Sequence, residues 1–144
     1  MKNKDGSFVV IFKNQNKEEV FLVYRSDLLI WNLPGGGIEE NETPEEAAIR
    51  ETFEETGFKI KLLKKVGIYK NIDTKTGGIW NTTFLFVAKI VSGKYLAEFP
   101  GCKGQWFKID NLPNDAKYVT RLRINDVFCY KSAKPFIKEF RPQK

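Results

Sequence analysis

The sequence predicts a mixed α/β domain in which one β-sheet is covered on both faces by helices. Three observations carry that expectation. Short apolar runs at 8–12, 19–24, 31–33, 59–69, 80–90 and 105–109 are separated by polar or glycine-rich turns, the pattern of strands. One helix start, at Thr43-Pro44, is strongly signalled, and a second helical spacing appears late in the chain. Strands interrupted by one early and one late helix give a mixed sheet with a helix on either side.

Taken in order, residues 8–12 and 19–24 flank the polar turn NQNKEE, and a third short strand at 31–33 is ended by Pro34 and three glycines. The helix that follows has Thr43 as its cap and Pro44 at its first position. Glu45 and Glu46 suit the positive end of the helix dipole, and Thr43 with Glu46 makes a capping box. Gly57 closes the helix. At about 100° per residue, Ile49 and Phe53 fall opposite a set of glutamates and are expected to form the buried face. Runs 59–69 and 80–90 are joined by DTKTGG, and 105–109 leads into DNLPND. Leu122, Val127 and Tyr130 give 119–131 helical spacing, which 136–140 is expected to extend.

Length and composition bound the function. At 144 residues the chain reads as a single domain, 1–144, with 42% hydrophobic and 14% aromatic residues, a folded composition. No apolar run approaches the roughly 20 residues that cross a bilayer, and the apolar stretch at the N-terminus is short for a signal peptide. Cys102 and Cys129 lie far apart without metal-ligand spacing and read as reduced thiols of a cytoplasmic protein. The chain contains no histidine, which excludes a histidine base. The net charge of +6 is uneven: residues 39–55 hold eight acidic residues and one basic one, Arg50. The basic remainder would steer polyanions toward that acidic segment.

Glu51, Glu54 and Glu55 stand at i, i+3 and i+4 and are neighbours on a helix surface, where like charges destabilise the isolated helix. A hard divalent cation relieves that repulsion, because Mg²⁺ takes carboxylate and water oxygens and bridges to substrate phosphates. Arg50 precedes Glu54 by four residues and can hold it through a charge-assisted bond.

The whole segment resembles the signature box of the Nudix hydrolases: Gly36, any five residues, Glu42, any seven, then Arg50-Glu51, Glu54-Glu55 and Gly57. Every invariant glycine and polar position of that pattern is matched. Thr52 and Phe58 replace two aliphatic positions. The lead-in WNLPGGG and the later QWFKIDNLP also look like the family's, so the resemblance runs from about Phe8 to Pro113.

The resemblance implies an α/β/α sandwich with a mixed sheet between helices, and Mg²⁺- or Mn²⁺-dependent hydrolysis of a pyrophosphate bond by water. Carried over by position, Glu54 and Glu55 would be metal ligands, Glu51 a ligand or the catalytic base, and the Gly35 carbonyl a further ligand. Arg50 would orient the carboxylates, while Gly36, Glu42 and Gly57 would hold the box in shape. Some members add a loop glutamate near the aromatic strand, and Glu98, the sole acidic residue between Asp73 and Asp110, is the candidate. Arg25 is placed to reach a substrate phosphate, and Trp31, Tyr69, Trp80 and Phe8 are candidates to stack on a base.

The proline that follows the box in many ADP-ribose hydrolases and the tyrosine of some dinucleoside-polyphosphate hydrolases are absent here. A nucleoside triphosphate or a modified one such as 8-oxo-dGTP is therefore the expected substrate, for a monomer or homodimer. The alternatives are an RNA 5′ end and a non-catalytic nucleotide-sensing domain.

Overall fold

The structure, a computed structural model, describes residues 4–141. Its elements run β1 (Gly6–Ile11), β2 (Glu19–Arg25), β3 (Ile30–Asn32), β4 (Gly35–Gly37), α1 (Pro44–Thr56), β5 (Lys59–Ile72), β6 (Ile79–Ser92), β7 (Lys103–Lys108), α2 (Tyr118–Cys129) and β8 (Phe136–Phe140). Five strands form a mixed sheet in the order β4-β1-β6-β5-β8, with β1 parallel to β6 and β5 parallel to β8. The other three, β3-β2-β7, pair antiparallel in a second sheet, so the strands divide between two sheets instead of joining one.

Alternation along the central strands builds two cores. Val10 of β1 and Leu85 and Val87 of β6 pack with Ile124 of α2, whereas Val9, Ile11, Phe86 and Ala88 pack with Ala48 of α1. The sheet is thus covered on both faces, as the strand period of two requires when both sides are apolar. β2 contributes to both cores through Val20 and Leu22 on one side and Phe21 and Val23 on the other.

Helix α1 begins and ends where the sequence signals it. Thr43 Oγ1 accepts from Glu46 N at 3.1 Å, and Glu46 Oε1 accepts from Thr43 N at 2.9 Å, completing the capping box. Gly57 closes the helix at φ 79°, the left-handed conformation that glycine adopts without steric cost.

Three expectations are corrected. Ile49 and Phe53 are not the buried face of α1: they are 42% and 49% exposed, and the residues against the sheet are Ala47, Ala48, Thr52 and Thr56. Small side chains let the helix lie close to the strands, and that proximity outweighs burial of two larger hydrophobes. Gly35–Gly37, expected as a turn, is a short edge strand paired with β1. Residues 136–140 form β8, not a helix, because Pro135 disfavours helical backbone at Lys134 and Phe136 is buried edge-on to Tyr69 and Tyr130.

Thr52 is fully buried and its Oγ1 finds no partner among the described residues. Exchange to the near-isosteric valine removes an unsatisfied hydroxyl. Thr52→Val is expected to stabilise the protein by about 1 kcal/mol, which thermal unfolding would register as a rise of about 2–4 °C.

Candidate active site

The site forms where the glycine strand β4 meets α1. Ser7 Oγ, buried on β1, donates to the Pro44 carbonyl at 2.8 Å and pins the first turn of the helix to the sheet. β4 pairs with β1 through Gly6↔Gly37, Ser7↔Gly36 and Phe8↔Gly35. A Cβ at Gly36 would lie 2.6 Å from Glu51 Cδ, so any larger residue there would displace the carboxylate from its place against the strand.

Arg50 is the hub. Its Nε and Nη2 donate to the two Glu42 oxygens at 2.7 and 2.9 Å, a bidentate pair. Nη2 also donates to the Gly37 carbonyl at 3.0 Å, and Nη1 to Glu51 Oε1 at 3.1 Å and Glu54 Oε1 at 2.7 Å. One guanidinium therefore joins the loop, the strand and the helix. Hydrogen bonding from Arg50 is also the main reason the Glu42 carboxyl is pulled down to about 2.

Glu55 has the opposite environment. Its Oε1 accepts from the Gly35 amide at 2.8 Å, yet burial pushes its pKa up to about 8, helped by the negative charges of Glu51 and Glu98. Burial raises Glu51 too, against the Arg50 hydrogen bond that lowers it. Glu98 is exposed on the loop before β7, near enough for its charge to act on both carboxylates.

Among the described residues no three His, Cys, Asp or Glu side chains converge as a ready metal cage, since Glu51 and Glu54 are turned to Arg50. The donor set nevertheless fits a hard divalent cation. It consists of oxygen donors, and Glu55 is a carboxyl that Arg50 does not bond and that a cation would bring into its charged form.

The structure separates the predicted binding residues. Arg25 forms a bidentate pair with Asp27 at 3.1 and 2.8 Å, and its charge still lowers Glu55, which keeps it beside the carboxylates. Trp80 is 47% exposed and lines, with Phe8, a cavity of about 320 Å³. Tyr69 is not a stacking face. It is buried, edge-on to Phe136, with its hydroxyl donating to Asp126 Oδ2 at 2.7 Å. Trp31 is half-buried, with its ring against Tyr24 and Phe107 in the second sheet, and its backbone ties that sheet to the segment before α2.

Sequence reasoning misses Arg123, which the same cavity exposes as a buried cation. The one signal was its position three residues after Thr120 and beside Ile124, on the stripe that α2 buries.

A mixed sheet between two helices, with a glycine strand pressed against an arginine-braced carboxylate helix, defines a class of phosphoanhydride hydrolases. A family model for the NUDIX domain matches residues 2–124, and the chain belongs to the Nudix hydrolase family. It is an enzyme, a pyrophosphohydrolase. The chain is 32% identical over 122 residues to a Bacillus subtilis (strain 168) protein named "Putative 8-oxo-dGTP diphosphatase", covering 84% of this chain and 77% of the relative. It is 33% identical over 135 residues to diphosphoinositol polyphosphate phosphohydrolase 2 of Rattus norvegicus, covering 84% and 72%. In fold it is similar to the MutT NUDIX hydrolase from Burkholderia pseudomallei, with a TM-score of 0.73 at 23% identity over 88% of this chain and 99% of that one.

Two outcomes are expected. A carboxyl whose folded pKa is raised is favoured in its neutral form, so its penalty grows as pH rises from the unfolded value near 4.5 to about 8. In EDTA, Glu55→Gln should therefore unfold on the order of 5 °C higher than the parent at pH 9, with little difference at pH 4. Arg50→Lys keeps the charge but loses the fork that bridges Glu42 and Glu54, and should lower kcat/KM about 10–100-fold in a steady-state assay.

Proposed function

We propose that the chain hydrolyses the pyrophosphate bond of a nucleoside triphosphate or a modified nucleotide, using Mg²⁺ or Mn²⁺ held by Glu51, Glu54 and Glu55. The observation that carries this reading is the Arg50 network, which aligns three elements around one group of carboxylates. The similarity to a relative named for 8-oxo-dGTP supports the substrate class.

When bound, the cation would neutralise the diphosphate and lower the pKa of water beside it. The protein's own part is positional. Arg50 and the Gly35 amide set the orientation of the carboxylates before substrate arrives, which removes reorganisation from the reaction itself. Glu51, held against Gly36, would serve as the base for the attacking water or as a ligand. The Gly35 carbonyl and Glu98 are further ligands in this reading, and Arg25 meets a substrate phosphate by exchanging its Asp27 partner. Two free thiols accord with a reducing, cytoplasmic setting.

A second reading, an RNA 5′ end as substrate, is favoured by a groove of about 680 Å³ at the far end of β1. It is lined by Lys13, Lys17, Lys64, Lys89 and Lys131, with no carboxylate among its lining residues. Such a surface attracts a longer polyanion.

A panel of nucleoside triphosphates, 8-oxo-dGTP, ADP-ribose and 5′-triphosphate RNA, assayed for phosphate or pyrophosphate release with Mg²⁺, tests the proposal. Turnover should vanish in EDTA. In Glu54→Gln it should fall at least about 10²-fold, beyond the 10–100-fold typical of outer-shell partners. Equal rates for the parent and Glu54→Gln would overturn the assignment.

A further inference from the structure

Arg123 is 6% exposed, and its Nε is enclosed without a hydrogen-bond partner among the described residues. Its guanidinium carbon stands 4.7 Å from the Phe8 ring centroid and 5.8 Å from that of Tyr69. Stacking of this kind offsets part of the desolvation of a cation but leaves its in-plane N–H donors unused. Asp126, one turn along α2, is already shared by the Tyr69 hydroxyl and Lys138, each at 2.7–2.8 Å. The cavity that Arg123 lines has Lys117 as a second cation, and no Asp or Glu is among its lining residues. Lys117 is lowered by burial and by the Arg123 charge, and Arg123 is lowered by burial to about 10. Two cations lining one space with no acid in its lining make an anion receptor.

The cavity and the catalytic site meet at one backbone pair. Phe8, which carries the guanidinium, is paired in register with Gly35, and the Gly35 amide holds Glu55. Because β4 is the edge strand of the sheet, a substrate whose diphosphate lies at the carboxylates would reach Arg123 around that edge. The polar wall is already satisfied, since Asn71 bonds both Asn81 and Thr83, at 2.7 and 2.9 Å. The buried donor without a partner is thus Arg123 Nε.

Resting on the Nudix pyrophosphohydrolase reading, we infer that Arg123 with Lys117 forms a subsite for a second anionic group of the substrate, a phosphate or carboxylate remote from the scissile diphosphate. The flat guanidinium, held by two rings, presents a fork that suits a bidentate phosphate. The subsite selects among diphosphates by what the far end carries. It takes no part in bond cleavage.

Two measurements test this. In the first, ¹⁵N-arginine side-chain spectra of the metal-free protein are followed while inorganic phosphate is added. The Arg123 Nε resonance should shift and saturate. The same should hold in Glu54→Gln, whereas the thermal stabilisation by phosphate should fall at least tenfold in Arg123→Met and partly return in Arg123→Lys. A flat Arg123 titration in the parent, which needs no variant to fold, overturns the subsite.

In the second, calorimetry on Glu54→Gln with Mg²⁺ compares NADP with NAD, which differ by one phosphomonoester. NADP should bind at least tenfold more tightly, and the added Arg123→Met change should bring the two within twofold. Equal affinities in Glu54→Gln alone would show a site for free phosphate and overturn its role in substrate choice. Failure of the hydrolysis panel would instead sink the pyrophosphohydrolase reading while leaving the phosphate titration intact.

Discussion

Everything at the catalytic end depends on how one guanidinium holds several carboxylates that would otherwise repel. Arg50 bonds Glu42 in the loop, the Gly37 carbonyl in β4, and Glu51 and Glu54 on α1. Removing it would leave Glu51 and Glu54 without their shared partner, and they would turn apart into water. The bidentate contact with Glu42 matters most for shape, because two parallel bonds set an angle that a single contact cannot. Local charge balance and loop geometry are therefore the same interaction, and the strand–loop–helix unit cannot relax in one part without moving the others.

That unit requires close approach, which side-chain size decides. Gly36 admits Glu51 where a Cβ would displace its carboxylate. Ala47, Ala48, Thr52 and Thr56 let α1 settle against the sheet, and Ser7 ties its first turn to β1. Larger residues on this stripe would bury more apolar area, on the order of 25 cal/mol per Å². They would also lift the carboxylates away from the Gly35 amide. The helix accepts exposed Ile49 and Phe53 as the consequence. Glu55 lies at the seam so formed, which is why its charge is poorly solvated and its pKa is raised while the more open Glu54 simply meets Arg50.

Much of this was legible in the residues. Thr43, Pro44, Glu46 and Gly57 announce both ends of α1 through local chemistry that tertiary packing does not override, and the structure realises each of those caps. The spacing of Arg50 and Glu54 likewise announces a contact. What hydrophobic periodicity could not reveal is which stripe of α1 faces inward, because small and polar residues there serve proximity instead of burial. β8 was hidden for a related reason: a five-residue apolar–polar run carries little periodic signal, and its parallel partner β5 lies more than sixty residues away. Tyr69 and Trp31 have the composition of stacking residues, but composition does not say whether a ring faces a cleft or another ring. Arg123 is the extreme case, a charged residue on a buried stripe whose surroundings exist only in the fold.

The two ends of the site meet on a single strand. Along β1, Ser7 faces α1 and fixes the catalytic helix, while the next residue, Phe8, faces α2 and carries the Arg123 guanidinium. Successive side chains of a strand must point to opposite faces, so neighbouring residues divide reaction from selection across the sheet. Substitutions on the α2 side can then change which molecule is held without disturbing the carboxylates, since the strand between them is locked by β4 and β6. This separation gives a physical route by which one catalytic helix serves diphosphates of very different chemistry: the acids and their brace stay constant, and the far wall of the strand decides what may lie against it.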